Sequence, residues 1–533
     1  MKVPIKLEIT GPEFVEPPRI VLLERTGPLA EPQPHICQDG TLCYLDSKLA
    51  VIDPLDPLGM LGGCLKKAAE LATELVNGKP HGDLMREFPA MWFPDHFALV
   101  DLPAGFSGSG EIRTYSHSNR PISAVATSAA SLLALADACN HDGAAGSSGG
   151  RIQIFTIDRP LIAEGRLWPP ETVQQLCSWL TRFAPAAVRA IEEDVVPSKA
   201  GDRHRAILLA APNGVVGGMF EIPAILDRKE FRDRRKPIFR EFKKPGAKWP
   251  LVRVGCLRAD RKHLYSRSLG DTIPTLEDKK VLLVGCGTIG GFLAELLTKV
   301  GAGSGGRLML VDPDIFMIEN VGRHLLGLPA VLANKAEACR DHLKQQLGLI
   351  EVDATPYGVQ RLRNTFGSYN LIIDATGEEP ISLWLNQRRI EAMNAGKGFP
   401  PILHTWLHGA GSAAVGFLNV WPDGPCYKCL RPVHGGRWRY DPLKEGSDPQ
   451  QVVLQACGDG TYVRYPVSAS IQAAALALEM ALDWNKGSPK PYLRSRQINR
   501  EVARASFDRD PKRSDDCPAC TVHCSSQPLP ARA

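Results

Sequence analysis

No run of about 18 consecutive apolar residues occurs in this 533-residue chain, so a membrane-spanning helix is not expected. The first residues, MKVPIKLEIT, lack the basic-then-apolar order of a secretory signal. Both absences point to the cytoplasm and away from a membrane. Charge of one sign is also scarce, since 63 Lys and Arg against 58 Asp and Glu leave only +5. No dense basic stripe is interleaved with aromatics, so nucleic acid is not an expected partner. The most basic stretch, 228–248, reads as a solvated face or loop. No internal repeat is present, which excludes a solenoid. The 44% hydrophobic and 23% charged content is that of a soluble globular protein, and the length allows two to four domains.

What is present is concentrated in 281–335. The β-branched run VLLV leads into Gly285, Gly287 and Gly290, and a helical pattern follows. A strand, a tight glycine turn and a helix N-terminus cradle phosphate through backbone N–H groups and the helix dipole. This fingerprint alone would also suit a nicotinamide dinucleotide enzyme. The second strand separates the readings. It ends in Asp312-Pro-Asp314, and Asn320, Arg323 and Lys335 come soon after. A ribose-binding carboxylate followed by an amide and two cations suits a triphosphate better, because the cations neutralise charge as a bond to the α-phosphorus forms.

From about residue 261 onward the chain resembles the adenylation domain of the ThiF/MoeB/ubiquitin-activating superfamily, whose pattern is GxGxxG, DxD, N-x-x-R, then K. The resemblance implies an α/β, Rossmann-like fold using ATP and Mg2+. Asp312 would hold the ribose, and Asn320, Arg323 and Lys335 would face the phosphates. Leu264-Tyr265-Ser266-Arg267 is similar to the family's RYSRQ segment, in which the arginine reaches the partner's nucleotide; this implies a homodimer. One departure concerns the metal. The family's D-x-T-D reads Asp374-Ala-Thr-Gly377-Glu378 here, leaving Asp374 or Glu378 to substitute.

Cysteine is plentiful, with 14 residues. Cys426-Tyr-Lys-Cys429 and Cys517-Pro-Ala-Cys520 are two CxxC pairs whose four thiolates suit a tetrahedral Zn2+ site. The ThiF-like family carries such knuckles in this order. Cys524 follows closely. Cys457, with Ala456 and Gly458 beside it, precedes an alanine-rich helix over 468–482, and small flanks would admit an acyl group. The family has a cysteine in a comparable loop, and nearby Arg464 could favour its thiolate. Cys64, Cys139, Cys177 and Cys339 fit helical core positions. His404 and His408 read as core or surface residues of a strand and turn.

The amino-terminal part reads as two strands, a double proline (Pro17-Pro18) and a loop containing His35, Cys37 and Gly40-Thr-Leu-Cys43. It is similar to the centre of the ubiquitin-conjugating fold, in which a histidine of an HPN motif precedes a G-x-x-C loop. By that resemblance Cys43 is a thioester-forming nucleophile. The asparagine that would stabilise the oxyanion is absent, as are the family's first helix and strands. Three sections are expected: a reduced conjugating-like α+β domain (1–105), an α/β linker domain (106–260) and the adenylation domain (261–533). A helix is expected over 63–76, a loose glycine- and serine-rich linker or surface excursion over 107–151 with a short helix over 124–139, and one helical stretch over 170–191.

This layout resembles the fused activating–conjugating enzymes of bacterial ubiquitin-like operons, best known from CBASS anti-phage systems. It implies adenylation of a protein's C-terminal carboxylate, with Arg323 and Lys335 stabilising charge. The acyl group would then pass to Cys457, to Cys43 and to an acceptor amine. Activation of a sulfur-carrier protein would use the same site without Cys43. An NAD-dependent oxidoreductase and an ATP-binding scaffold are the remaining alternatives.

Overall fold

The computed structural model describes residues 3–521 except 10, 12–14, 47–51, 79–80, 118–119, 140–149, 166–167, 233, 245, 271–272, 349, 448–452, 457–458, 464 and 506. The chain divides into two compact units, Met1–Asp260 and Arg261–Ala533.

The first unit begins with an antiparallel pair, β1 (Ile5–Glu8) and β2 (Arg19–Leu22). Helix α1 (Pro57–Val76) covers a small core of Ile20, Leu22, Leu29, Ile36, Leu42 and Leu75. This helix starts six residues before the expected Gly63, despite the glycines of PLGMLGG. Pro57 suits the first turn, and the Asp56 carboxylate accepts the Gly59 N–H at 3.0 Å, so capping outweighs the glycine penalty. Two short helices, α2 (His81–Arg86) and α3 (Phe88–Met91), lead to a closed seven-stranded barrel.

The barrel strands are β3 (His96–Asp101), β4 (Gly108–His117), β5 (Arg120–Ala126), β6 (Gly150–Thr156), β7 (His204–Ala211), β8 (Gly214–Glu221) and β9 (Leu251–Arg258). Their order is β3-β5-β4-β6-β7-β8-β9. The expected linker over 107–151 is therefore corrected: it supplies β4, β5 and α4 (Ala129–Cys139). One of its glycines, Gly110, answers crowding rather than flexibility. A Cβ on Gly110 would lie 2.7 Å from Ile154 Cδ1 and 2.8 Å from the Ala126 carbonyl oxygen. The barrel runs across residue 105, since β3 pairs with β5 and β9.

The expected single helix over 170–191 is two helices, α5 (Val173–Leu180) and α6 (Pro185–Asp194). Thr172 and Gln175 form a capping box at the first, and Pro185 opens the second, where its missing N–H is harmless. The basic stretch 228–248 also folds, into α7 (Lys229–Arg232) and α8 (Arg235–Phe242). Ile238 and Phe242 are buried, so only part of it is a solvated face.

The second unit opens with α9 (Arg261–Leu269) and is built on a seven-stranded sheet. Its first half runs β10 (Lys280–Val284), α10 (Thr288–Lys299), β11 (Arg307–Val311), α11 (Lys335–Leu347), β12 (Val352–Thr355) and β13 (Leu371–Asp374). Then follow α12 (Glu379–Asn394), β14 (Ile402–His408), β15 (Ala413–Asn419), a hairpin of β16 (Val453–Ala456) and β17 (Asp459–Val463), α13 (Val467–Asn485) and β18 (Leu493–Gln497). The order is β12-β11-β10-β13-β14-β15-β18, parallel as far as β14 and antiparallel after it. The parallel strands read as continuous apolar runs because both faces are covered: Val281 to Val284 are all buried. The order reverses between β10 and β13. In such sheets the crevice beyond the strand ends at that reversal is where ligands bind. Among the described residues no helix is long and apolar enough to cross a membrane.

Candidate nucleotide site, cysteine cluster and thiol pair

The glycine loop sits at the sheet reversal for steric reasons. Gly285 has φ +88°, and a Cβ there would lie 2.9 Å from the Thr376 backbone that follows β13. Gly290 lets α10 settle onto the turn, since a Cβ there would lie inside the Gly285 carbonyl oxygen. Gly287 precedes the first turn of α10, whose N–H groups face a cavity of about 650 Å³. Thr288, Asp312, Asp314, Arg323, Lys335 and Glu378 line the same cavity.

Asp312 ties this loop to the second strand. Its Oδ2 accepts the Cys286 N–H at 2.7 Å, and its Oδ1 accepts the Asp314 N–H at 2.8 Å. Burial pushes its carboxyl pKa up, while these two hydrogen bonds pull the other way. Lys335 opens α11, and its Nζ meets Asp314 Oδ2 at 2.7 Å. Asn334 places that lysine. Its amide donates to the carbonyls of Asp312 (2.8 Å) and Asp314 (3.0 Å), and its Oδ1 caps the helix at the Glu337 N–H. Sequence reasoning missed Asn334, although an asparagine just before a helical run signals an N-cap.

Asn320 does not line the cavity. Its Oδ1 turns back to the Met317 N–H at 2.9 Å and closes its own short turn, Ile318–Asn320. His324, also missed, holds the loop from below. Its Nε2 lies 2.7 Å from the Cys286 carbonyl and its Nδ1 accepts the Leu326 N–H, which makes it a neutral Nε2–H imidazole. Burial lowers its pKa in the same sense. Tyr465 reaches the cavity wall and places its hydroxyl 3.0 Å from Thr288 Oγ1.

Asp374 and Glu378 differ in availability. Asp374 is 1% exposed and fully engaged, with Oδ1 taking Thr376 Oγ1 (2.7 Å) and Oδ2 taking Ser382 Oγ (2.5 Å) and His404 Nδ1 (2.9 Å). Burial alone would raise its pKa, but His404 and the two hydroxyls hold it low. Thus His404 is a core histidine, with a specific partner that the sequence did not disclose. Glu378 faces the cavity, and its pKa is raised by burial and then by the Asp314, Asp312 and Asp374 charges. A divalent cation beside Asp314 and Glu378 would relieve that repulsion, so these donors fit Mg2+. Arg267 belongs to α9, and its side chain is outside the described residues; so are Cys457, Arg464 and Cys524. By sequence Cys457 falls between β16 and β17.

Cys426, Cys429, Cys517 and Cys520 are all buried, with sulfurs within 4.8 Å of one another. Four convergent thiols without a disulfide are the donor set of a structural Zn2+ site. The cluster packs on Ile390 and Trp421.

In the first unit Cys43 is exposed, and its sulfur lies 3.6 Å from that of half-buried Cys37. The loop is held by the Cys43 N–H on the His35 carbonyl (2.8 Å). His35 has φ +61°, and its Nδ1 lies 2.6 Å from Glu87 Oε1. Desolvation first, then the Cys37 sulfur, then Glu87 and Asp39, push the Cys43 thiol pKa up to about 12.

Residues 265–519 match the ThiF family. Over 526 residues the chain is 34% identical to the "ATP-dependent ubiquitin transferase-like protein Cap2" of Pseudomonas aeruginosa, covering 96% of this chain and 90% of that one. A protein of the same description from Escherichia coli is 27% identical over 463 residues, 80% of this chain and 76% of the relative. Among solved structures, E. coli MccB with ATP aligns at 18% identity and a TM-score of 0.35, over 46% of this chain and 68% of MccB. That last likeness is too slight to inform function.

Proposed function

The chain belongs to the Cap2 family of ATP-dependent ubiquitin transferase-like proteins, and from that premise we propose that it adenylates a protein's C-terminal carboxylate and delivers the acyl group to an amine. The observation that carries this reading is the convergence of the glycine loop, Asp312, Arg323 and Lys335 on one cavity at the sheet reversal.

In the first step a carboxylate oxygen attacks the α-phosphorus of ATP, the bond to the bridging oxygen breaks and pyrophosphate leaves. Asp312 holds the ribose hydroxyls, while Lys335 and Arg323 offset the negative charge that develops. Magnesium, when bound, supplies further charge neutralisation, and Asp314 with Glu378 would hold it. Asp374 serves as a positioning residue, fixing Thr376 at the cavity edge through its hydroxyl bond. Next the Cys457 thiolate attacks the acyl carbon and AMP leaves. Cys43 then takes the acyl group as its proton passes to the released Cys457 sulfur, and an acceptor amine displaces Cys43, its proton restoring the Cys43 thiol. In this reading the segment around Cys43 that precedes the barrel is the conjugating-like part, the barrel that crosses residue 105 is the linker domain, and 261–533 is the activating part. The enzyme acts as a homodimer in a bacterial anti-phage conjugation system, with zinc stabilising the activating part.

The test is ATP–pyrophosphate exchange with small proteins encoded beside this chain, followed by nonreducing gels. Wild type should exchange, and Lys335→Ala should cut the rate by about 100-fold. Cys457→Ala should keep exchange but remove every thioester, and Cys43→Ala should remove only the second. Exchange without acyl transfer to Cys43 would favour activation of a sulfur carrier instead. No exchange with any candidate would defeat the adenylation reading.

A further inference from the structure

Tyr465 stands beside three separate parts of the cavity wall. Its hydroxyl lies 3.0 Å from Thr288 Oγ1, at the first residue of α10. The Arg323 guanidinium carbon stands 5.9 Å from the centre of its ring. The turn between β14 and β15 makes room for it. Gly411 has φ +82°, and a Cβ there would lie 2.6 Å from Tyr465 Cβ and 3.1 Å from Cγ. A side chain at 411 would displace the tyrosine.

The tyrosine's own backbone is well anchored. It directly precedes Pro466, which caps α13, and that helix is locked into the core by Ala469, Ala473, Ala474 and Ala477, all fully buried. A rigid helix therefore fixes the start of a side chain that spans to two phosphate-facing groups far apart in sequence. An arginine is long and has many rotamers, so a cation needed at one place benefits from a platform. The electron-rich face of a phenol ring supplies one. The hydroxyl adds a second link, holding the threonine of the helix N-terminus that would receive an anion.

We propose that Tyr465 is a positioning residue for the polyphosphate: it presets Arg323 through its ring and Thr288 through its hydroxyl. The proposal rests on the reading of this cavity as an ATP site. It makes a prediction that simple packing does not. Loss of the ring should weaken ligands that carry phosphates and spare the nucleoside.

Calorimetric titration of the full chain with ATP and with adenosine tests this, using wild type, Tyr465→Phe, Tyr465→Leu, Thr288→Val and the Tyr465→Phe/Thr288→Val double variant. Tyr465→Leu should weaken ATP by about tenfold while moving adenosine by less than about twofold. Tyr465→Phe keeps the ring and should weaken ATP by about threefold, with the double variant no worse than either single change. Equal weakening of ATP and adenosine in Tyr465→Leu would reduce the residue to packing and overturn the proposal. Unchanged ATP binding in Tyr465→Leu would overturn it as well. Failure of the adenylation reading is seen separately: wild type would bind ATP yet support no exchange, and the ATP–adenosine comparison would still decide the role of Tyr465.

Discussion

Two groups of cysteines in this protein bring sulfurs to nearly the same separation yet sit in opposite surroundings. In the second unit Cys426 and Cys517 lie 3.6 Å apart, Cys429 and Cys520 lie 3.4 Å apart, and all four residues are buried. In the first unit Cys37 and Cys43 also lie 3.6 Å apart, but Cys43 is exposed and no third thiol joins them among the described residues. Distance between sulfurs therefore says little by itself. Four buried thiols can satisfy a tetrahedral cation and are closed to solvent, whereas an exposed thiol beside a half-buried one cannot complete such a shell and stays accessible to a reagent.

The largest expected effect comes from breaking the four-thiol set. Replacing Cys429 or Cys517 by serine should remove bound zinc, read by metal analysis, and leave buried polar groups without a metal. Structural zinc contributes several kcal/mol to small domains, so the melting temperature of the second unit should fall by about 10 °C or more. A variant with full thermal stability and no zinc would refute a structural metal here.

The same change in the exposed pair should do the reverse. Cys43→Ala removes no core contact, and surface substitutions of this kind usually stay within about 0.5 kcal/mol. The melting temperature should hold within about 2 °C while the second thioester disappears from nonreducing gels. A large loss of stability would mean that Cys43 is structural. That outcome would also remove the main support for a conjugating role of the first unit.

How much of this the sequence disclosed depended on whether the signal was local. The glycine turn, the Asp312 strand end, Lys335 and the CxxC pairs were legible, because each is a short pattern with one steric or chemical cause. The nature of 107–151 was not. Glycines that relieve barrel crowding, as Gly110 does against Ile154, read the same as glycines in a flexible linker. Contacts across the sheet were equally hidden. Asp374 and His404 meet because β13 and β14 are neighbours, and nothing in either segment names the other. Asn320 shows the converse, a placement that the motif does not disclose. It fits a motif by spacing, yet its Oδ1 closes its own turn and the residue is not among those lining the cavity. Tyr465 reaches Thr288 only because α13 lies along α10.

The smallest effect is the sharpest probe of the pair itself. The Cys43 thiol is held up, to about 12, by desolvation first and by the adjacent Cys37 sulfur second. A raised thiol pKa means the folded form stays protonated where the unfolded chain would ionise. The associated stability is present below about pH 8.5, the usual thiol value, and is lost as pH rises toward the folded value. Cys37→Ala removes the second cause and leaves the first, together with Glu87 and Asp39. The Cys43 pKa should therefore fall but remain above the usual thiol range. At pH 8 each unit of that fall multiplies the thiolate fraction about tenfold, and lower intrinsic nucleophilicity returns part of it, for a net gain of about threefold per unit in alkylation rate. Peptide-resolved mass spectrometry of iodoacetamide labelling between pH 7 and 10 would measure this at Cys43 alone. A rate profile at Cys43 that ignores Cys37→Ala would show that the two sulfurs do not interact in solution. The contrast with the buried four would then rest on exposure alone, and the thiol proposed to receive the acyl group would need no neighbour to tune it.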